Sequence, residues 1–342
     1  MAADRWNRRD SQAMPARHGL SLVDTLVVLG IVGLLASMIL PAVQAARSAA
    51  RRIQCQNQLR QLVSGVVQYH DLYSVFPPWV INCGADGSHC NYDGALTLIL
   101  PFLEHADKCD LISENTKRIP LLECPADGLL SGVESPVSYR LNVGPGENSG
   151  TLLEGLFSPV ADKSTRMRDI IDGMSQTAAC SEQLVIRSGG NEQTALSATS
   201  RYVWRVNIPP VSDATSRNPS TPNALTERSA QTELSINDCL EGPRVFEPLR
   251  NLHYVDWRVS NTSATTYSHW LPPNSPNCRP SYFAFDTPYL ATNQGASSEH
   301  SGGVNLAYLD GHVLFTSQTI DRQLWRAIGT RNGGESLNGG AY

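Results

Sequence analysis

The sequence predicts an α+β protein in which a long N-terminal helix, membrane-spanning in its first half, packs on an antiparallel β-rich head. Two observations carry this prediction. A single long apolar run from Leu20 to Leu40 is followed by a helical repeat of apolar residues up to about Tyr73. After Pro78, the residues Gly, Pro, Asn, Asp and Ser separate short apolar runs, a pattern typical of strands joined by turns.

The apolar run predicts one membrane-spanning helix. Its only charged residue is Asp24, and at about 1.5 Å per residue it spans roughly 31 Å, close to the thickness of a bilayer core. Residues 1–19 before it are polar and rich in arginine. These features alone leave three routes open: an uncleaved anchor, a secretory signal cleaved after Ala45, and a leader cleaved before the run. The run exceeds the roughly 7–15 apolar residues of a secretory signal.

The helix is predicted to continue beyond the membrane as an amphipathic element. Apolar residues recur there at steps of three, four or seven, with Arg and Gln between them. They are Ile53, Leu59, Leu62, Val63, Val66, Tyr69 and Tyr73. The Pro77-Pro78 pair breaks the pattern because proline cannot continue a helix. We therefore predict one helix over 20–75 whose second half needs a cover from the head.

The head is predicted to span 76–342, and its composition limits its function. Residues 205–235 are rich in Pro, Ser, Thr and Asn, which predicts a flexible surface insertion. The chain has a net charge of −5, so the basic surface of a nucleic-acid-binding protein is excluded.

The clearest local structure lies at 304–315, where two apolar runs flank Asp310-Gly311. An Asp-Gly pair between apolar runs predicts a β-hairpin with a two-residue type I′ turn. In that pairing Leu309 faces His312 across the turn. The alternation predicts a hairpin that is buried against the core.

The chain contains eight cysteines, an even number that permits disulfides in an exported protein without fixing their connectivity. Cys83 and Cys90 bracket a Gly-rich loop and are our candidates for a local disulfide; the alternative is two unrelated loop cysteines. In the same region Asp86, Asn91 and Asp93 offer oxygen ligands of the kind that Ca²⁺ prefers, without EF-hand spacing. We predict no cofactor, and calcium at this loop is the alternative to a polar turn.

A catalytic interpretation of the C-terminal region is the alternative to a structural one. His300, Ser301 and Asp310 are the residue types of a triad, which requires a base in contact with a nucleophile and an orienting acid. Asp310 is better explained by its turn, and Gly302-Gly303 by a bend before the strand. No P-loop, dinucleotide-binding, HExxH or GxSxG motif is present in the sequence. We therefore predict a structural motif and no enzyme.

The N-terminal segment RHGLSLVDTLVVLGIVGLLASMILPAVQAARS resembles the cleavage and methylation motif of type IV prepilins and type II secretion pseudopilins. That family has a Gly before the cut, a hydrophobic residue after it, and a Glu near the start of the apolar helix. The resemblance implies cleavage after Gly19, methylation of Leu20, and Asp24 in the place of the Glu. Leu20 and Ser21 also replace the usual Phe and Thr. In the family the acid pairs with the new terminal amine of a neighbouring subunit.

A second resemblance covers the rest of the chain. His300, nine residues and then Asp310-Gly311 are similar to the H-X9-DG domain that accompanies prepilin-type N-termini. Further segments resemble the same large pseudopilin-like family, DUF1559, in order along the chain. They are QYHDLYSVFPPW, GALTLILPFLEH, ECPAD, DGMSQT with Glu182, LPPNSPNC and LWRAIGTRNGGE. The resemblance implies a pilin-like architecture and a processing route, without an activity.

These features predict a prepilin- or pseudopilin-like structural subunit, anchored in the inner membrane by one helix with its head outside the cytoplasm. Its expected partners are a prepilin peptidase and methyltransferase, the membrane, and other pilin-like subunits that contact its N-terminal helix. It would assemble into a type II secretion pseudopilus or a type IV pilus-like fibre. The alternative is a non-polymerising anchored module whose head binds polysaccharide or an exported protein. A secreted enzyme with a signal peptide is the third hypothesis.

Overall fold

The structure is a computed structural model, and the chain divides into two compact units, Met1–Ala49 and Ala50–Tyr342. The structure describes residues 22–79, 94–103, 118–128, 130, 133, 135–145, 154–157, 164–185, 203–206, 237–242, 244–247, 257, 264–280 and 294–334. The helices include α1 (Leu22–Tyr73), α2 (Ala95–Ile99) and α3 (Arg322–Ala327), and residues 237–240 are also helical. The strands are β1 (Tyr139–Asn142), β2 (Ala178–Glu182), β3 (Val203–Val206), β4 (Arg244–Glu247), β5 (Thr266–Tyr267), β6 (Asn277–Pro280), β7 (Gly303–Tyr308) and β8 (Val313–Ser317).

Helix α1 is continuous through Pro41 and combines two kinds of surface. Every described residue from 22 to 50 is exposed, whereas the part that follows carries a buried stripe. The helix ends at Tyr73, and Ser74 takes a positive φ of 59°, a conformation that commonly terminates helices. The described part thus agrees with the predicted long helix.

The second half of α1 packs into the main core of the head. Its fully buried apolar residues are Cys55, Leu59, Leu62, Val63 and Val66. They belong to the same core cluster as residues of α2, of the 3₁₀ turn Pro120–Leu122 and of the sheet. Full burial of each Leu or Val is worth about 1.5–3 kcal/mol, so this stripe holds α1 on the head. Two predicted members of the stripe, Ile53 and Tyr73, are instead more than half exposed.

The main sheet has five strands in the order β5-β1-β2-β7-β8. The β1–β2, β2–β7 and β7–β8 pairs are antiparallel, whereas β1–β5 is parallel. The α+β class is confirmed, and the sheet is mixed rather than wholly antiparallel. A parallel pair needs a long crossover, and the chain between β1 and β5 supplies one. A second sheet, β4-β3-β6, contains Arg205 and Val206 from the predicted insertion; 207–235 lie outside the described residues.

The C-terminal hairpin is present, but its predicted register is wrong by one residue. Ala307 pairs with Val313, so Tyr308 comes opposite His312 with three residues between them. Gly311 has a φ of 90°, as a three-residue hairpin with a glycine in the left-handed region requires. Leu309 leaves the ladder because its side chain is fully buried and its N–H donates to Thr177 O at 3.1 Å.

Candidate functional site

The first half of α1 is the first candidate site, an apolar surface open to its surroundings. Its large apolar side chains from Leu22 to Leu40 are 52–75% exposed. A Cβ added at Gly30 or Gly33 would meet no atom within 4 Å, so these glycines leave a shallow face for a neighbouring helix. Within the described part of the chain, α1 is the helix long and apolar enough to cross a membrane.

A second candidate site lies inside the head, where β2 and β7 run side by side. Glu182 is the last residue of β2, and His300 lies in the turn before β7. The Nε2 atom of His300 is 3.2 Å from Oε1 of Glu182, within hydrogen-bonding distance. Both side chains are buried. The carboxylate also accepts two hydrogen bonds of 2.8 Å from Asn305, one from its N–H and one from its Nδ2.

Two sulfur atoms complete this arrangement. Cys55 of α1 and Cys124, which follows the Pro120–Leu122 turn, form a disulfide with a Cα–Cα distance of 5.4 Å. The Sγ atom of Cys124 is 3.8 Å from Oε1 of Glu182 and 4.0 Å from Nε2 of His300. One ligand atom from each of the four residues lies within 4.8 Å of the other three. We call Cys55, Cys124, Glu182 and His300 the Cys–Glu–His cluster.

The surroundings of the cluster fix its members in place. Gln56 Nε2 donates to Oδ1 of Asn305 at 3.0 Å, so α1 supports the residue that holds the carboxylate. On the other side of Glu182, burial and the negative charge of that carboxylate raise the pKa of Tyr139 well above its usual value. The Tyr139 hydroxyl therefore stays neutral and donates to Oε1 of Gln58 at 2.6 Å. The cluster is a buried set of sulfur, nitrogen and oxygen atoms whose carboxylate is held by hydrogen bonds.

A family model described as "Protein of unknown function (DUF1559)" matches residues 44–323. The chain belongs to the DUF1559 family. The matched region begins in α1 just after the apolar run and ends within α3, so it contains the whole Cys–Glu–His cluster. None of the curated proteins and none of the solved structures matches this DUF1559 chain.

The remaining motif residues of this DUF1559 protein serve the hairpin. Asp310 Oδ1 accepts hydrogen bonds from Nδ1 of His312 at 2.5 Å and from its N–H at 3.1 Å. Gly302 has a φ of 88°, and a Cβ at Gly303 would collide with the carbonyl of Thr316 on β8. The structure thus brings His300 to Glu182 and Asp310 to His312, and it does not assemble the considered triad from His300 and Asp310.

Several residues singled out in the sequence lie outside the described part of this DUF1559 chain. They are Gly19, Leu20, Cys83, Asp86, Cys90, Asn91 and Asp93. Asp24 is described and lies in the first turn of α1. Sequence reasoning did not pair Cys55 with Cys124 and missed Asn305. Glu182 was noted only as part of a resemblance, although a carboxylate within a run of small and apolar strand residues was a usable signal.

A separate buried histidine of this DUF1559 head has a structural role. His269 Nε2 lies 2.9 Å from the hydroxyl of Tyr267, its Nδ1 lies 2.7 Å from the backbone oxygen of Trp325, and its ring stacks on the indole at 4.0 Å. Burial lowers the pKa of His269 to about 3. The imidazole is therefore neutral, with Nδ1–H donating to the carbonyl and Nε2 accepting from the phenol.

Proposed function

We propose that this chain is a prepilin-like subunit of the bacterial envelope, cleaved after Gly19 and methylated at Leu20. The single observation that carries the proposal is the division of α1 into two environments. Residues 22–50 are exposed and largely apolar, and the stripe beyond them is buried in the head. Exposed apolar surface costs about 25 cal/mol per Å² in water, so the first half needs lipid or other apolar helices around it.

The disulfides support a location for the head outside the cytoplasm, and we propose that the helix lies in the inner membrane. Cys55–Cys124 and Cys239–Cys278 are both bonded. Disulfides persist in oxidising compartments and are rare where thiol reductants are abundant. A periplasmic or surface-exposed head agrees with this chemistry.

Assembly through the N-terminal helix is the finer part of the proposal. Placing an ionised acid inside a membrane costs about 2–3 kcal/mol unless a cation pairs with it. We therefore expect a cation beside Asp24 in the membrane. Cleavage after Gly19 would create such a cation, the terminal amine, on a neighbouring subunit. The small residues Gly30, Gly33 and Ser37 would let pilin-like helices approach each other closely in a pseudopilus or pilus-like fibre.

The size of the head favours a second candidate, a membrane-anchored module that does not polymerise. The head extends from 76 to the end of the chain and contains two sheets, and such bulk crowds neighbouring subunits in a filament. Its head would bind polysaccharide or an exported protein. We propose no catalytic activity for either candidate. The imidazole of His300 contacts Glu182, and the carboxylate of Asp310 contacts His312, so His300 and Asp310 do not pair as a triad requires.

The mass of the N-terminal peptide, measured on protein purified from its native membrane, tests the processing. A chain that begins at N-methyl-Leu20 is expected. A chain that begins at Ala46, or that retains residues 1–19, would overturn prepilin processing. Sedimentation of material sheared from the cells then separates the candidates, because fibres that contain the protein are expected only if it assembles.

A further inference from the structure

We propose that the Cys–Glu–His cluster is a zinc site in the reduced protein, and that the Cys55–Cys124 disulfide is the oxidised, metal-free form of this site. The cluster joins three parts of the head: helix α1, the segment after the Pro120–Leu122 turn, and the neighbouring strands β2 and β7 with the turn before them. Its residues are far apart in sequence, so only the folded chain presents them together.

The distances in the cluster are close to the edges of a tetrahedral zinc site. With Zn–S of about 2.3 Å and Zn–N or Zn–O of about 2.0 Å, the nitrogen and oxygen ligands are about 3.3 Å apart, and sulfur lies about 3.5 Å from each. The observed separations are 3.2 Å between His300 and Glu182, 3.8 Å between Cys124 and Glu182, and 4.0 Å between Cys124 and His300. For these three ligands the separations therefore differ from the tetrahedral edges by about half an ångström or less.

The fourth ligand is Cys55, and the backbone suits both oxidation states. A Cα–Cα distance of 5.4 Å is usual for a disulfide. Once the S–S bond opens, side-chain rotation alone can separate the two sulfur atoms to the roughly 3.8 Å that a tetrahedral zinc dithiolate requires. The helix and the loop therefore need not move for the site to change between metal and disulfide.

The ligand types select a zinc-like metal rather than calcium or magnesium. Thiolates and imidazole bind Zn²⁺, whereas Ca²⁺ and Mg²⁺ require oxygen ligands. The hydrogen bonds from Asn305 fix the carboxylate, as the outer partners of metal ligands commonly do. None of the four residues is more than 9% exposed, which is typical of a closed structural site without a water ligand. A divalent cation would also offset the charge of two buried thiolates.

The exchange is a two-electron reaction. The zinc-bound thiolates of Cys55 and Cys124 lose two electrons as the S–S bond forms, and Zn²⁺ leaves. A disulfide of a thiol–disulfide exchange protein accepts the two electrons and, with two protons, becomes a dithiol. In an oxidising envelope the disulfide predominates. The zinc form belongs to newly exported or reduced protein, where it holds α1 on the head before the covalent bond forms.

The test uses the full chain in detergent. A water-soluble phosphine reduces the disulfides: with water, the phosphine becomes its oxide and each sulfur takes up a proton. Zinc is added, excess metal is removed, and bound zinc is measured by plasma mass spectrometry, with Co²⁺ as the spectroscopic probe. The reduced wild type is expected to retain a zinc ion. Loss of a ligand in His300→Ala or Glu182→Gln should weaken zinc binding by at least the roughly 10–100-fold that is typical when an outer partner of a ligand is removed. Co²⁺ should give the intense visible bands of a tetrahedral site and a thiolate charge-transfer band.

The control variants are His312→Ala, which removes a partly exposed imidazole, and Cys239→Ser with Cys278→Ser, which removes the other described disulfide. Both are expected to bind zinc like the wild type. A second measurement needs no variant: zinc should protect Cys55 and Cys124 of the reduced wild type from alkylation, as mapped by peptide mass. Equal alkylation with and without zinc, or unchanged zinc affinity in His300→Ala, would overturn the proposal. Neither result depends on leader cleavage or on assembly.

Discussion

His300 Nε2 lies 3.2 Å from Glu182 Oε1, which joins the first residue of the H-X9-DG motif to the end of β2. The same carboxylate accepts both hydrogen bonds from Asn305 on β7. A buried carboxylate with this many partners is costly to remove, because each buried donor left without an acceptor costs about 1–3 kcal/mol. The spacing from His300 to the hairpin thus places His300 beside Glu182, an interaction that the spacing itself does not reveal.

Glu182→Ala is therefore expected to destabilise the head by about 3–5 kcal/mol, measured by urea unfolding of the detergent-solubilised chain. Glu182→Gln keeps the shape of the side chain and one acceptor oxygen, so its loss of stability should be smaller. The control is Glu123→Ala, whose partner Arg118 is 44% exposed and regains water, so the loss should be about 1 kcal/mol or less. Equal losses for Glu182→Ala and Glu123→Ala would contradict this account of the buried carboxylate.

The double variant Cys55→Ser, Cys124→Ser is expected to lose about 2–4 kcal/mol of stability, because the disulfide spans a sequence separation of 69. Amide hydrogen exchange should show faster exchange in the second half of α1, which loses its covalent link to the head. The control, Cys239→Ser with Cys278→Ser, should leave exchange in α1 unchanged. Uniform acceleration in both variants would mean that the Cys55–Cys124 bond has no local role.

Gly303→Ala is expected to disrupt the hairpin, because the new methyl group would collide with the Thr316 backbone. The cost should exceed about 3 kcal/mol, since a backbone obstacle cannot rotate away. Gly128→Ala is the matched control, because a Cβ there meets nothing within 4 Å. It should be neutral or stabilising by up to about 1 kcal/mol. Thermal unfolding measures the melting temperatures of the two variants. Similar melting temperatures for Gly303→Ala and Gly128→Ala would contradict the expectation.

His269 should make the head sensitive to acid. Burial lowers its pKa to about 3 in the folded chain, below the ordinary value of 6.5. The unfolded chain binds the proton first as pH falls, so stability is lost from about pH 6.5 downward, by up to about 5 kcal/mol near pH 3. The His269→Gln variant should already be less stable than the wild type at pH 7. Its free energy of unfolding should fall less between pH 7 and pH 4 than that of the wild type. A His269→Gln slope equal to that of the wild type would reject the assignment.

Asp24→Ala tests the proposed assembly. The variant should enter the membrane at least as well as the wild type, because an ionised acid is costly to place there. It should yield at least about tenfold less sheared fibre, because the pairing with a neighbouring amine is lost. Asp24→Glu keeps the acid and should yield fibres. The control is Asp71→Ala, at the far end of α1, which should also yield fibres. Normal fibre yield from Asp24→Ala would reject the intersubunit pairing.

Sequence reasoning predicted the features that depend on neighbouring residues. The long helix followed from an apolar run, a helical repeat and the Pro77-Pro78 break, all of which are local signals. The hairpin followed from Asp310-Gly311, but its register did not, because burial of Leu309 in the core decides it. The conformational preferences of the turn residues and the packing of the folded core compete at such a loop. Only the preferences of the turn residues can be predicted from the sequence.

The Cys–Glu–His cluster was beyond sequence reasoning for the same reason. Cys55 and Cys124 are 69 residues apart, and the number of ways to pair eight cysteines leaves their connectivity open. His300 was noted for its spacing from Asp310, yet its partner is Glu182 on a different strand. Strand order places β2 beside β7, and this topology is a property of the whole sheet rather than of any segment.

The Cys55–Cys124 bond also determines how the protein bears tension. A pull on the membrane end of α1 travels along the helix backbone and reaches Cys55 before the buried stripe at Leu59–Val66. There a covalent bond transfers the force to Cys124 in the head, so the packed helix surface need not slide or peel. A force applied to the exposed first half of α1 is therefore passed to the folded head through this bond.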